Sequence, residues 1–178
     1  MVRTIEKVPE TCCYKIVDSS VGDLIIVAND NGLHAVLWGC DMENAAIRDR
    51  VSNLQLVDRH QVIDETAKQL GEYFSGERVE FDLPIIFSGT AFQQRVWSEL
   101  LKIPYGCTAT YEEQAVKLGD KKKVRAVGMA NGMNPISIVV PCHRVVGKNG
   151  SLTGFSGGLG VKAFLLNLEK GTEQYSLC

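Results

Sequence analysis

The sequence lacks the features that mark secreted and membrane-spanning proteins. Residues 1–10 are charged and contain no apolar stretch of the kind that a signal peptide needs. No apolar run approaches the roughly 20 residues that a membrane-spanning helix requires. The six cysteines form no CxxC pair and show no spacing typical of a disulfide framework. We therefore expect free thiols in a reducing compartment, the cytoplasm, or the nucleus if the cell is eukaryotic.

Histidine is also scarce, with three residues in the whole chain, and this limits the metal sites that the sequence can build. Cys12, Cys13, His34 and Cys40 could meet at a zinc ion. Their spacing is irregular and matches none of the regular patterns of structural zinc sites. We predict that the protein binds no metal, with this cluster as the alternative.

A strong excess of one charge is missing from the chain as a whole, although the charge is unevenly distributed. The net charge of −2 excludes a uniformly basic nucleic-acid-binding protein. Residues 1–89 contain eight Lys/Arg and fifteen Asp/Glu, whereas residues 90–150 contain nine and four. This asymmetry predicts two domains, the second of which faces an anionic partner. Chance clustering of solvated charges is the alternative.

The periodicity of apolar residues predicts an α+β fold. The first half contains strands at 14–18, 24–28, 33–38 and 81–87, and helices at 43–53 and 64–74. Asn29-Asp30-Asn31-Gly32 is typical of a hairpin turn, because Asn and Gly accept positive φ at little cost. The segment Ser88-Gly89-Thr90 marks a boundary. We therefore predict a small antiparallel-sheet and helix domain over residues 1–88 and a mostly helical domain over residues 89–178.

The second half begins with a helix at 92–101, capped by Thr90, and continues with two short helices at 111–118 and 121–131. Gly119-Asp120 separates the short helices, as in a helix-turn-helix unit. Basic residues cluster at the start of the second short helix, where the helix dipole also favours phosphate: Lys121, Lys122, Lys123 and Arg125. This pattern predicts a winged-helix-like domain that binds DNA.

The residues that can carry covalent chemistry lie in the segment 141–145. A cysteine beside a histidine is the minimum for an activated thiolate. The apolar run at 138–140 predicts a strand, in which Cys142 and His143 would point to opposite faces. Pro141 predicts a bend that lets both side chains face one pocket. From these two residues alone, a buried core cysteine beside an incidental histidine remains open.

Two further features follow the Cys–His segment. Residues 152–158 contain too much glycine for regular structure and predict a loop that can approach a ligand closely. A last helix is expected over residues 159–169. Glu169 in its final turn opposes the helix dipole, which hints at a partner elsewhere in the fold.

Several ordered motifs over residues 88–171 match one known family. They are Thr90-Ala91-Phe92-Gln93, Val96-Trp97, Ile103-Pro104-Tyr105-Gly106, Arg125-Ala126-Val127-Gly128, Asn134-Pro135, Pro141-Cys142-His143-Arg144-Val145, Gly154-Phe155-Ser156-Gly157-Gly158 and Leu165-Leu166-Asn167-Leu168-Glu169. This half of the chain resembles the O6-alkylguanine-DNA alkyltransferases, the suicide DNA-repair proteins. The first half is similar to that family's variable N-terminal domain only in size and strand order.

The resemblance implies a catalytic role for five residues. Cys142 attacks the alkyl carbon on guanine O6. His143 acts as its base through a water molecule, and Glu169 orients His143. Asn134 ties the segment before the nucleophile to the helix-turn-helix. Tyr111 gives a proton toward guanine N3 as the leaving base gains negative charge.

The resemblance also implies how DNA is held. Arg125 fills the gap in the duplex after the damaged base leaves the stack. Ser156 and the backbone at Cys142 and Val145 hold the guanine. Phe155 stands where some members of the family have tyrosine, so a hydroxyl contact is lost there while the apolar wall of the pocket remains.

The expected reaction follows from ordinary chemistry. Displacement at an alkyl carbon needs a soft nucleophile such as a thiolate, and the thioether product is not reversed by water. One molecule therefore repairs one lesion in double-stranded DNA, either O6-alkylguanine or, as a further candidate, O4-alkylthymine. No cofactor is needed because the DNA itself is the alkyl donor. We expect a monomer without an obligate protein partner or a membrane.

Two other functions are compatible with parts of the sequence. The first is a sensor that flips alkylated bases without reacting, although Cys142 argues against it. The second is a transcription regulator in which Cys142 senses oxidation or alkylation.

Overall fold

The computed structural model describes residue 5 and residues 7–171. The first half holds a sheet of four strands in the order β3-β2-β1-β4. Neighbouring strands are antiparallel except for β4, which pairs parallel with β1. The strands are β1 (Cys13–Val17), β2 (Leu24–Asn29), β3 (Gly32–Trp38) and β4 (Gln55–Leu56).

The helices of the first half cover both faces of the sheet. They are α1 (Ala45–Ser52), which follows a 3-10 helix (Gly39–Glu43), and α2 (Gln61–Phe74). Because side chains alternate along a strand, Leu24 and Ile26 of β2 share a core with α2. Ile25 and Val27 share a second core with α1. Burial on both faces explains why β2 is apolar without alternation.

The second half is mostly helical, which confirms the predicted α+β fold. It contains α3 (Ala91–Leu100), α4 (Tyr111–Lys117), α5 (Val124–Gly132) and α6 (Leu159–Lys170). Two short strands, β5 (Ala109–Thr110) and β6 (Val145–Val146), pair in parallel. Thr90 caps α3 as expected: its hydroxyl accepts the Gln93 N–H, and the Gln93 side chain accepts the Thr90 N–H.

The helix-turn-helix unit is formed by α4 and α5. Gly119 connects them at φ +90°, a conformation that favours glycine. The helix expected over 121–131 begins instead with a 3-10 helix (Lys121–Lys123), and α5 starts only at Val124. Asp120 caps this turn by accepting the Lys122 N–H.

The strand predicted over 81–87 is wrong. Leu33 donates to the Pro84 carbonyl at 2.7 Å and accepts from Ile86 at 2.9 Å, which makes one isolated bridge to β3. Pro84 has no N–H, so the ladder cannot extend from this contact toward residue 82.

The strand predicted over 138–140 is also wrong. The segment is a series of turns in which Val139 donates to Ser137 and Val140 donates to Ile136. Ile138 has φ +69°, which is unusual for a β-branched residue. The segment is apolar because it crosses the core between the two halves, and burial alone does not distinguish a strand from such a turn.

One apolar core runs through both halves of the chain. It includes Leu70 and Tyr73 of α2, Trp97 of α3, Leu165 of α6, and Cys142. The Cys–His segment therefore lies where the sheet half and the helical half pack together. Within the described residues, no helix has the length and apolar character to cross a membrane.

Candidate active site

Cys142 opens a 3-10 helix (Cys142–Arg144), and its side chain is 6 % exposed. The buried amide of Asn134 holds it in place. Its Nδ2 atom donates to the Val140 carbonyl at 2.8 Å and to Cys142 Sγ at 3.3 Å, while its Oδ1 atom accepts the Ile136 N–H. One amide thus fixes both ends of the turn before the cysteine. An N–H directed at sulfur also favours negative charge on that atom.

His143 lies fully buried and bonds to Glu169, with 2.7 Å between Nε2 and Oε1. Burial lowers the pKa of His143, and the nearby cations Arg144 and Lys162 act in the same direction, against the pull of Glu169. With Nε2–H donated to the carboxylate, the lone pair of a neutral ring sits on Nδ1. That atom is buried and has no hydrogen-bond partner among the described residues. It is therefore the nitrogen that can accept a proton.

Glu169 is the centre of a dense hydrogen-bond network, although it lies in the last turn of α6. Arg144 donates from Nε to Oε2 at 2.8 Å and from Nη2 to Oε1 at 2.9 Å. The Gly106 N–H and the Tyr73 hydroxyl also donate to this carboxylate. Burial alone would raise the pKa of Glu169, but the hydrogen bonds and charges of His143 and Arg144 outweigh it and hold the pKa at about 2.

A buried lysine of α6 supports the other side of the site. Lys162 is fully buried and donates to the carbonyls of Val145 at 2.7 Å and Thr153 at 2.9 Å. Burial lowers its pKa, whereas the neighbouring Cys142 raises it. The Nζ atom lies 5.8 Å from the centre of the Tyr111 ring and 6.0 Å from that of Phe155. Lys162 therefore joins β6, the glycine-rich loop and two aromatic residues.

Tyr111 is the first residue of α4, and its hydroxyl donates to the Thr153 carbonyl at 3.1 Å. Burial raises its pKa, the hydrogen bond to Thr153 lowers it, and Cys142 raises it further. Gly128 of α5 packs against this ring, since an added Cβ would lie 3.8 Å from it. The phenol is thus protonated at neutral pH, and its side chain lies between α5 and the glycine-rich loop.

The glycine-rich loop packs on the sheet half through Trp38. The Phe155 ring meets Trp38 edge to face, with 5.6 Å between ring centres. A Cβ on Gly157 would lie 2.7 Å from the Trp38 indole, so only glycine fits there. Ser156 is exposed on the same loop, and Val145 is buried in β6.

Two of the predicted DNA-binding residues are exposed on the helix-turn-helix. Lys123 and Arg125 are both exposed at the start of α5. Met129, one turn after Arg125 on the same helix face, is 50 % exposed. This surface is separate from the Glu169 network and lies on the element that packs against Tyr111.

The structure thus brings Asn134, Cys142, His143 and Glu169 together. Tyr111 is connected to them through Lys162, which lies near the Tyr111 ring and bonds to the same Thr153 carbonyl as the Tyr111 hydroxyl. Sequence reasoning missed Tyr73, Arg144 and Lys162. The signal for Arg144 and Lys162 was a charged residue within an apolar segment. Tyr73 lies within the helix predicted over 64–74, and nothing in the pattern of that helix sets its hydroxyl apart.

Among residue 5 and residues 7–171, no group of three or more His, Cys, Asp or Glu side chains is arranged to hold a metal ion. Of the residues considered for zinc, Cys12 and Cys13 are buried, and Cys40 is exposed. Burial raises the pKa of Cys12 to about 11, so its thiol is protonated at neutral pH.

Comparison with known proteins identifies the family. Residues 91–171 match the 6-O-methylguanine DNA methyltransferase DNA-binding domain, and residues 12–87 match the ribonuclease-like domain of the same proteins. The methylated-DNA–protein-cysteine methyltransferase of Mycobacterium bovis is 57 % identical over 157 residues, covering 88 % of this chain and 92 % of the relative. That of Methanosarcina barkeri is 42 % identical over 157 residues, covering 88 % and 96 %.

Solved structures agree with the sequence matches. The crystal structure of the Mycobacterium tuberculosis OGT in complex with DNA superposes with a TM-score of 0.78 at 41 % identity, covering 88 % of this chain and 92 % of that one. The family models match both halves of the chain, and the relatives are 42 % and 57 % identical to it. The chain belongs to the 6-O-methylguanine DNA methyltransferase family, which confirms the resemblance found in its sequence.

Proposed function

We propose that the protein repairs alkylated DNA by moving the alkyl group of O6-alkylguanine onto Cys142 Sγ, once per molecule. Membership of a family named for methyl transfer from DNA to a protein cysteine supports the reaction. The observation that carries the choice of cysteine is the contact of Asn134 with Cys142 Sγ, next to the buried His143–Glu169 pair. O4-alkylthymine is a second candidate substrate.

His143 takes the proton of the Cys142 thiol at Nδ1 through a water molecule. Glu169 holds the ring by accepting Nε2–H, which fixes the tautomer that has its lone pair on Nδ1. The lowered pKa of His143 keeps the ring neutral, as a base must be. The amide of Asn134 stabilises the negative charge that results on sulfur.

Transfer forms the carbon–sulfur bond as the carbon–oxygen bond at guanine O6 breaks, and the electron pair stays on the base. Tyr111 gives a proton toward guanine N3, which neutralises the leaving base. Its raised pKa keeps it in the protonated form until that moment. No cofactor takes part, since donor and acceptor are the DNA and the protein.

The DNA is bound as a duplex by the helix-turn-helix. A relative crystallised in complex with DNA supports this partner. Lys123 contacts a phosphate, and Arg125 enters the duplex to replace the flipped base, which offsets the loss of stacking. Ser156 and the backbone at Val145 and Cys142 hold the guanine, with Phe155 as an apolar wall.

We also propose the organisation of the whole molecule. The chain works as a monomer of two domains, residues 1–88 and 89–178, without an obligate protein partner. It acts in the cytoplasm, or in the nucleus of a eukaryotic cell. The family models meet near the proposed boundary, at residues 87 and 91, which supports this division.

The test is transfer of a labelled methyl group from guanine O6 in duplex DNA to the protein. We expect label on the peptide that contains Cys142, and none in Cys142→Ala, which still binds the DNA. Cys107→Ala is the matched control, because Cys107 is an exposed cysteine outside the network, and it should react at the wild-type rate. Tight binding of the lesion by the wild type without label transfer would favour the sensor and refute this proposal.

A further inference from the structure

Tyr73 connects the sheet half of the chain to the proposed catalytic network. It lies in α2, is fully buried, and donates its hydroxyl to Glu169 Oε1 at 2.8 Å across 96 residues of sequence. Its ring is fixed on several sides: Phe81 lies at 5.5 Å, and Tyr105 at 6.1 Å in an edge-to-face arrangement. The hydroxyl therefore has a defined position toward Glu169.

The oxygen that Tyr73 contacts is the one that holds His143. Glu169 Oε1 accepts from the Tyr73 hydroxyl, from His143 Nε2 at 2.7 Å and from Arg144 Nη2 at 2.9 Å. Donors that share one oxygen compete for the electron density of that oxygen, so each hydrogen bond weakens the other hydrogen bonds to the same atom. Burial and the charge of Glu169 raise the pKa of Tyr73, which therefore stays protonated and can only donate here.

We propose that Tyr73 is a positioning residue for alkyl transfer, which through Glu169 keeps His143 oriented and neutral. The sheet half then contributes directly to the reaction centre and does more than support the DNA-binding half. This inference rests on the proposed function in one respect, the role of His143 as the base.

The charges around His143 determine the sign of the expected effect. Glu169 of α6 is its anionic neighbour, and it favours the protonated ring. Arg144 from the Cys–His segment and Lys162 of α6 disfavour the protonated ring, and Tyr73 of α2 acts by reducing the basicity of the carboxylate. Without the Tyr73 hydroxyl, the carboxylate attracts His143 Nε2–H more strongly. Glu169 remains ionised because Arg144 still binds both of its oxygens, so the pKa of His143 should rise.

The experiment is an NMR titration of the His143 ring in the full chain without DNA. Tyr73→Phe keeps the aromatic packing and removes only the hydroxyl. Tyr105→Phe is the matched control, because its hydroxyl bonds to the Leu168 carbonyl and not to the carboxylate. We expect the pKa of His143 to rise by about half a unit to one unit in Tyr73→Phe, and by no more than about 0.2 unit in Tyr105→Phe.

A second measurement connects the titration to the reaction. The rate of methyl transfer falls at low pH as His143 becomes protonated, and this fall should move to higher pH by the same amount in Tyr73→Phe. The inference is overturned if Tyr73→Phe folds and its His143 has the same pKa as in the wild type. It is also overturned if His143 stays neutral in both proteins down to the lowest pH at which both are folded. Failure of the wild type to transfer methyl would refute the proposed function but leave the titration result in force.

Discussion

Replacing Glu169 with glutamine tests the buried network at its most heavily bonded point. The Glu169 side chain is 1 % exposed, and its carboxylate bonds to Tyr73, Gly106, His143 and Arg144. Its pKa is held at about 2, against an ordinary value of 4.5. That difference corresponds to about 3 kcal/mol of folded-state stability at neutral pH.

A second consideration gives a similar magnitude for the same substitution. Arg144 is 7 % exposed, and in Glu169→Gln it would remain buried as a cation that still contacts the Ile103 carbonyl and the Tyr105 ring but has no anion beside it. Breaking a buried ion pair on one side costs about 3–5 kcal/mol. The two figures describe one interaction and are not added. We therefore expect the free energy of unfolding of Glu169→Gln to be about 3–5 kcal/mol lower at pH 7.

The effect should depend on pH with a defined sign. A carboxyl group whose pKa is lower in the folded state stabilises the protein above its unfolded pKa and loses that contribution as the pH falls. The difference between wild type and Glu169→Gln should therefore be constant above about pH 5 and shrink between pH 4.5 and 2. Urea unfolding followed by circular dichroism, at several pH values, measures both quantities.

The matched control is Asp49→Asn, which removes an exposed carboxylate paired with the exposed Arg48. Exposed pairs contribute up to about 1 kcal/mol, so its stability should change by no more than that. A Glu169→Gln protein within about 1 kcal/mol of the wild type at pH 7 would show that the network does not stabilise the fold. A difference that persists unchanged to pH 2 would show that another group carries the effect.

Two further predictions concern DNA and the buried lysine. Arg125→Ala should slow methyl transfer on duplex DNA at least ~10-fold and leave transfer from single-stranded DNA unchanged, because only a base in a duplex must be flipped out. If Arg125→Ala and the wild type react with duplex DNA at the same rate, the proposed role of Arg125 is refuted. Lys162→Met should keep the fold but lower the transfer rate about 10-fold or more, since it frees the carbonyls of Val145 and Thr153 and removes a positive charge beside Cys142. Stopped-flow transfer measurements with each variant decide the matter, and a wild-type rate for folded Lys162→Met would contradict its supporting role.

Local signals in the sequence predicted the regular elements well. The Thr90 cap of α3, the hairpin turn before β3 and the Gly119-Asp120 turn before α5 depend on neighbours within a few positions. The two failures have one cause. Segments 81–87 and 138–140 are apolar because they pass between the two halves, and their backbone follows tertiary contacts with β3 and Asn134 and not a repeating pattern.

The family resemblance predicted residues that we propose for the reaction, whereas the buried side chains that bond to them were missed. Cys142, His143 and Glu169 were expected as a group through the family resemblance. Tyr73, Arg144 and Lys162 are buried polar groups whose partners lie 9 to 96 residues away along the chain, so the sequence pattern does not show which residues they contact. Two local features indicate that partners exist: the dipole-opposing position of Glu169, and the charges of Arg144 and Lys162 within apolar segments.

The most direct test of the central claim is intact-protein mass spectrometry after reaction with excess duplex DNA that contains O6-methylguanine. We predict that each protein molecule gains the mass of one methylene group and no more, and that fragmentation places it on Cys142. An unchanged mass, or a modification that survives in Cys142→Ala, would contradict the assignment of Cys142 as the single-use acceptor.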